Sequence, residues 1–224
     1  MFNSMKILDI KNLSIPEIKV IKFARFCDDR GYFTEQFRKS QLLEDPEIYF
    51  LNDVEFMQAN QSSSKKGVIR GLHFQWNPNM GKLVRTLSGH MVDLVLDIRE
   101  GSPTQGKIVG YDMPANNDRK YDEWIWVPEG FAHGNYFPES GMIEYMCSSE
   151  YSPQCEAGIS PLSKDLDWSL CDPKLKKGFD EIQEYGAIIS DKDRDAPSFN
   201  DWMEDERSKN FIYTKSENKG YQHE

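Results

Sequence analysis

Histidine is the one side chain whose unperturbed pKa lies close to neutrality, and the four in this 224-residue chain, His73, His90, His133 and His223, are its natural proton carriers. His73 lies in GVIRGLHFQ (67–75), a short apolar, strand-like run that also holds Arg70. His133 lies in VPEGFAHGNYF (127–137), where Pro128, Gly130 and Gly134 punctuate an aromatic stretch. A carboxylate that accepts a hydrogen bond from one imidazole nitrogen fixes the tautomer and raises the basicity of the other nitrogen. Asp193 would do this for His73 if the fold brought the two together. Lys82, in GKLVRTLSG (81–89), would sit beside a ketone oxygen and stabilise the charge that develops when an adjacent C–H is broken. Tyr145 would return a proton from the opposite face. These are the parts needed to invert a carbon next to a carbonyl. Each has a plainer reading alone: a satisfied histidine, a solvated lysine, a core tyrosine, a surface aspartate.

The elements that must position these groups read as short strands. From about Phe26 to Trp168, segments rich in Val, Ile, Phe, Tyr and Trp are separated by Gly, Pro, Asn and Asp clusters, the pattern of an antiparallel sandwich or barrel. The clearest strand is expected from His90 to Ile98, with Val92, Leu94 and Leu96 on an apolar face and Asp93, Val95 and Asp97 on the other. A second, from Met142 to Ser148, puts Ile143, Tyr145 and Cys147 on one face, so Tyr145 would point into a barrel. Strict alternation in the segment holding Arg70 and His73 would place them on opposite faces; Gly71 between them is the natural site of a bulge that re-aims one. After Trp168 the chain turns charged and helical. In CDPKLKKGFDEIQEYG, Leu175, Phe179 and Ile182 recur at helical spacing between Asp172 as N-cap and Gly186 as stop, and a short helix is expected from Ser198 to Glu206. One domain is expected over 1–224: strands and barrel over 1–170, a helical segment over 171–214, and a polar tail, 215–224, without order.

Composition narrows the function classes. A net charge of −10 argues against general nucleic-acid binding, although local Arg and Lys clusters can still hold a small anion. No apolar run approaches the roughly 18 residues of a membrane span. The first twenty residues lack the cationic start and continuous apolar stretch of a secretory signal, so a cytoplasmic location is expected. Cys27, Cys147, Cys155 and Cys171 show no CxxC spacing and read as reduced thiols.

Five ordered motifs carry a resemblance: DDRGYFTEQF (28–37), QANQSSSKKGVIRGLHFQ (58–75), GKLVRTLSGHMVDLVLDIREGSPTQG (81–106), VPEGFAHGNYF (127–137) and SDKDRDAP (190–197). With them the chain resembles the dTDP-4-dehydrorhamnose 3,5-epimerase family from about residue 20 to residue 200. The resemblance implies a mainly β, cupin-type double-stranded β-helix (a jelly-roll barrel) with short C-terminal helices, acting as a homodimer in which an N-terminal strand can join the partner's sheet. It implies His73 as general base with Asp193 as its partner, Lys82 as enolate stabiliser and Tyr145 as the acid on the opposite face. Arg30, Glu35, Gln58, Asn60, Arg70 and His133 match positions that hold the nucleotide diphosphate and sugar, and Asp93 an acidic position lining the barrel. Arginine suits phosphate because its planar fork donates two parallel hydrogen bonds.

The resemblance implies neither a cofactor nor a metal, and the residues agree: many cupins bind a metal through an HxH pair, and this chain has none. The chain departs from the family pattern at Glu150, which precedes Tyr151 after the acid tyrosine, at Gln105 in SPTQG, at Ser169 after Trp168, and in a longer C-terminus. These leave the catalytic set intact and the exact nucleotide and sugar open. The activity the resemblance implies is epimerisation at C3 and C5 of dTDP-4-dehydro-6-deoxy-D-glucose to dTDP-4-dehydro-L-rhamnose. Alternatives are inversion at one carbon, a 3,4-ketoisomerase, or a non-catalytic nucleotide-sugar binder.

Overall fold

The computed structural model describes residues 5–115 and 120–214. His223 and the 215–224 tail lie outside the described residues. In chain order the strands are β1 (Ile7–Asn12), β2 (Lys19–Ala24), β3 (Phe26–Asp28), β4 (Gly31–Phe33), β5 (Gln58–Ser64), β6 (Ile69–Gln75) and β7 (Lys82–Ser88). They continue as β8 (His90–Asp97), β9 (Ile108–Pro114), β10 (Tyr121–Val127), β11 (Phe131–Tyr136), β12 (Gly141–Cys147) and β13 (Glu156–Gly158). The helices are α1 (Lys39–Glu44), α2 (Pro173–Glu184), α3 (Asp191–Arg194) and α4 (Phe199–Glu204).

Two antiparallel sheets face each other in a jelly-roll arrangement. One runs β1-β2-β10-β7-β12-β5 and the other β13-β6-β11-β8-β9, while β3 and β4 form a separate hairpin. Between them lies an apolar filling in which Val84, Ile125, Val127 and Ile143 of the six-stranded sheet meet Met91, Val95, Val109 and Phe131 of the five-stranded one. Each sheet is also covered from outside. Ile69, Leu72, Phe74, Val92, Leu94 and Leu96 pack under Phe179, Phe199, Trp202 and Phe211 from the C-terminal segment. Ile21, Phe23, Leu83, Trp124 and Trp126 pack under Met5, Ile48 and Leu51. Burying each such aromatic or branched side chain contributes about 1.5–3 kcal/mol, so both covers hold their sheets firmly.

The strand expected from His90 to Ile98 forms as β8, and its second face, with Asp93, Val95 and Asp97, turns in between the sheets, where both carboxylates are fully buried. Asp97 is accommodated because Arg99, Ser102 and Thr104 donate hydrogen bonds to it, and Asp93 because it meets His133. The expected helix after Trp168 is α2, with the Asp172 carboxylate accepting from the Lys174 N–H at 2.8 Å. The short helix expected from Ser198 is α4, held by a reciprocal Ser198–Asp201 capping box, and it ends at Glu204 before a 3-10 turn, Glu206–Asn210.

Candidate active site

The irregularity expected at Gly71 is present and decides the geometry of the site. In the β6–β11 ladder His133 faces His73 while Asn135 faces Arg70, so three steps on β6 match two on β11. The extra residue lets Arg70 and His73 line the same cavity rather than opposite faces. Gly71 sits at φ +104°, and a Cβ there would lie 2.5 Å from the Gly134 Cα, so only glycine allows β6 and β11 to approach this closely.

Opposite this bulge, Asp193 arrives from α3, a single helical turn absent from the sequence expectations. The Ile69 N–H donates to the Ile188 carbonyl at 3.0 Å, which lays the chain leaving α2 along β6. Ser190 then caps α3, and Asp193 in its first turn reaches the imidazole. His73 Nε2 lies 2.7 Å from Asp193 Oδ1, and the Gly71 N–H donates to Asp193 Oδ2 at 3.2 Å. Burial alone would raise the Asp193 pKa, but the bonds from His73, Gly71 and Ser190 outweigh it and hold the carboxyl below its usual range. Ionised, it is a pure acceptor, so His73 Nε2 carries the hydrogen and Nδ1 is the nitrogen that can accept a proton.

The facing sheet supplies the other groups. Tyr145 and Lys82 project from β12 and β7 into the same cavity of about 210 Å³, which Ser62, Arg70, Gly71, His73, Lys82, His133, Gly134, Asn135, Ile143, Tyr145 and Asp193 line. Burial pushes the Tyr145 phenol up, with Cys147 adding to it, and Arg70 and a hydrogen bond with Asn60 oppose the shift. The phenol therefore keeps its proton across the neutral range and is fit to donate it. Desolvation pushes Lys82 down from 10.5, against Cys147, Asp93 and Glu156, and its ammonium donates to the His73 carbonyl at 3.4 Å. A partly desolvated cation in a cavity wall interacts more strongly with a developing anion than one in water.

Six of the eleven sequence-proposed residues thus line one cavity: Arg70, His73, Lys82, His133, Tyr145 and Asp193. Three support it from behind. Asp93 Oδ2 lies 2.8 Å from His133 Nε2, Asn60 stands across from Tyr145 in the β5–β12 ladder, and Gln58 donates to Asn60 at 3.0 Å. Arg30 and Glu35 are not brought to the cavity within this chain. Arg30 pairs with Asp28 at the exposed β3–β4 turn, and Glu35 accepts from Arg38 and the Met5 N–H. Nearby, Arg25 and Gln36 bind Asp122 of β10, which ties this segment to the outside of the six-stranded sheet. Sequence reasoning missed Ser62 and Asn135, although each stands two residues beyond a proposed site residue on the same strand, Asn60 and His133. That period-two relation was the available signal. Among the described residues no group of three or more His, Cys, Asp or Glu is placed to hold a metal ion.

A jelly roll whose facing sheets present an imidazole–carboxylate dyad, a desolvated lysine and a protonated phenol to one cavity has the architecture of a cupin-type isomerase. Comparison with known proteins makes the class specific: the model of the dTDP-4-dehydrorhamnose 3,5-epimerase family matches residues 12–201, and the chain belongs to that family. A dTDP-4-dehydrorhamnose 3,5-epimerase of Shigella flexneri is 38% identical over 172 residues, covering 75% of this chain and 91% of that one. One of Neisseria gonorrhoeae is 41% identical over 150 residues, 66% of this chain, and the match spans only 43% of that protein's length. A solved dTDP-6-deoxy-D-glucose-3,5-epimerase of Legionella pneumophila, in complex with dTDP-4-keto-L-rhamnose, superposes with a TM-score of 0.74 at 32% identity, covering 95% of this chain and 100% of that one.

Proposed function

We propose that this protein epimerises C3 and C5 of dTDP-4-dehydro-6-deoxy-D-glucose to give dTDP-4-dehydro-L-rhamnose, in deoxysugar synthesis. The observation that carries this reading is the placement of His73–Asp193 on one sheet and Tyr145 on the other, across a single cavity. Inversion needs a base on one side of the sugar ring and an acid on the other. His73 removes the proton next to the C4 ketone, the electron pair moves onto the ketone oxygen, and Lys82 stabilises the enolate. Tyr145 then protonates the same carbon from the opposite face. Proton exchange with solvent then returns His73 to the neutral imidazole and Tyr145 to the phenol, and repeating the cycle at the second flanking carbon gives double inversion. The chain's own groups supply both the charge stabilisation and the protons, so the scheme invokes no cofactor.

Arg70 is the cation in the cavity wall suited to a diphosphate, its guanidinium held by Ser64 at 3.0 Å. The protein is proposed to act as a homodimer. β5 pairs on one side only among the described strands, exposed Met57 adjoins it, and Tyr32 and Phe33 are exposed on the hairpin that carries Arg30. In such a dimer Arg30 and Glu35 would contribute to nucleotide binding away from their own cavity. No helix among the described residues is long and apolar enough to cross a membrane, and a cytoplasmic location fits a nucleotide-activated substrate.

The direct test is incubation with the proposed substrate in deuterated water, followed by NMR. Deuterium at both C3 and C5 with inverted product is expected; entry at one carbon would replace the reading with a single-site epimerase, and a ketone moved from C4 with a ketoisomerase. The lysine predicts a pH effect. Because the Lys82 pKa is lowered, its charge is lost as pH rises through a value below 10.5, and kcat should fall there. Lys82→Arg, whose guanidinium stays charged, should lose that alkaline limb, while Lys82→Met should fall by about 10²–10³ at pH values where the parent's lysine is charged and approach the parent above them. An unchanged limb in the arginine variant would clear Lys82 of responsibility for it.

A further inference from the structure

Strand register divides the cavity into levels. His73 faces His133, and Lys82 faces Cys147, at the level of the dyad. Tyr145 is one step along β12, and beyond it Ser62 faces Ile143 on one sheet while Arg70, Asn135 and Asp93 stand side by side on the other. At this far level, three buried polar atoms have no hydrogen-bond partner: Ser62 Oγ, Asp93 Oδ1 and Asn135 Oδ1. Asn135 is only 4% exposed, yet it lines the cavity, as does Ser62. Buried polar atoms are nearly always paired, so a cluster of unpaired ones in a cavity wall marks where a polar ligand group belongs.

The chemistry of this wall differs from that of the dyad level. Of the three, Ser62 and Asn135 line the cavity, beside Arg70, and an amide and a hydroxyl both donate and accept, which suits a neutral hydroxyl next to the diphosphate that Arg70 would hold. In a nucleotide-linked 4-keto-6-deoxyhexose, C1 carries the diphosphate, C4 the ketone and C6 a methyl. The substituents at C3 and C5 change orientation when those carbons invert. The C2 hydroxyl is the one neutral polar substituent that stays fixed throughout, so a stationary contact there positions the ring for both inversions.

We propose that Asn135, with Ser62 across the cavity, hydrogen-bonds the C2 hydroxyl of the sugar and selects nucleotide-linked 4-ketohexoses that carry it. The assignment rests on the nucleotide-sugar reading of this cavity, and it makes Asn135 a positioning and specificity residue.

The test compares binding of dTDP-glucose and dTDP-2-deoxyglucose by calorimetry, with dTDP alone as the measure of an intact nucleotide site. The unchanged protein is expected to prefer the 2-hydroxy ligand by about 10-fold or more, the effect of stranding a buried polar group. Asn135→Leu, similar in size but unable to hydrogen-bond, should bind dTDP normally and discriminate by no more than about 2-fold, because the contact that distinguishes the ligands is gone. Should the leucine variant lose dTDP binding, Asn135→Ala, which adds no bulk, makes the same comparison. Undiminished preference in the variant, or none in the unchanged protein, overturns the proposal and leaves the three atoms to ordered water. The measurement needs no turnover. Solvent exchange at C3 and C5 without C2 discrimination would keep the epimerase and remove this contact, while discrimination lost in the variant without exchange in the parent would do the reverse.

Discussion

Replacing His73 with alanine is expected to reduce double epimerisation by about 10³–10⁴-fold while dTDP binding stays within a few-fold of the parent. The size of the effect follows from what the imidazole does. The carbon acid beside a ketone is weak, and the His73 imidazole assigned to it is backed by the Asp193 carboxylate, 2.7 Å away and kept ionised by its surroundings. Without the imidazole, Asp193 retains the Gly71 N–H but loses its bond to His73, and it remains outside the position from which a proton was taken. The nucleotide should be insensitive because Arg70, the cation assigned to phosphate, is anchored to Ser64 and the Ser63 carbonyl, independently of His73. Two readouts check this: solvent deuterium entry at C3 and C5, and calorimetric dTDP affinity. Exchange at near-parental rates in His73→Ala would sink the assigned base, and a joint loss of exchange and dTDP binding would instead point to a collapsed site.

The legibility of this site in the sequence followed the range of the interactions. Groups on regular strands were readable because period-two alternation places them: Tyr145 inside with Ile143 and Cys147 follows from β12 alone, and so does the burial of Val92, Leu94 and Leu96 on β8. Gly71 was readable as a point of irregularity, since alternation and the pairing of Arg70 with His73 conflicted there, but that β6 and not its neighbour takes the extra residue depends on the close contact with Gly134. Asp193 was placed beside His73 by resemblance. The physical link runs through the Ile69–Ile188 bond and the Ser190 cap, contacts of long sequence separation that no local pattern encodes. That Asp93 and Asp97 share one face followed from the alternation of β8, whereas their full burial depends on the sheet laid opposite that face, which no local pattern encodes. Asn135 was given no role from the sequence, and it lies within β11 two residues beyond His133.

Replacing Tyr145 with phenylalanine should separate proton removal from inversion. The variant keeps the ring that packs among Ile143 and its apolar neighbours and loses only the hydroxyl, so the fold and the dyad across the cavity should persist. His73 still generates the enolate beside Lys82. With no phenol on the far side, the carbanion is reprotonated by the imidazolium that made it, on the face from which the proton left. The expected outcome in deuterated water is therefore labelled starting material of retained configuration, with inverted product reduced by about 10²–10³-fold relative to exchange. Burial holds the Tyr145 pKa above its ordinary value and lowers that of Lys82, so as pH rises the loss of inversion should trace to Lys82 before the phenol. NMR reads label and configuration in one spectrum. A phenylalanine variant that still inverts both carbons at parental rates would remove Tyr145 from the mechanism. One that neither exchanges nor inverts would show that the phenol is needed to form the enolate as well as to quench it, and the two-face division of labour between the sheets would have to be abandoned.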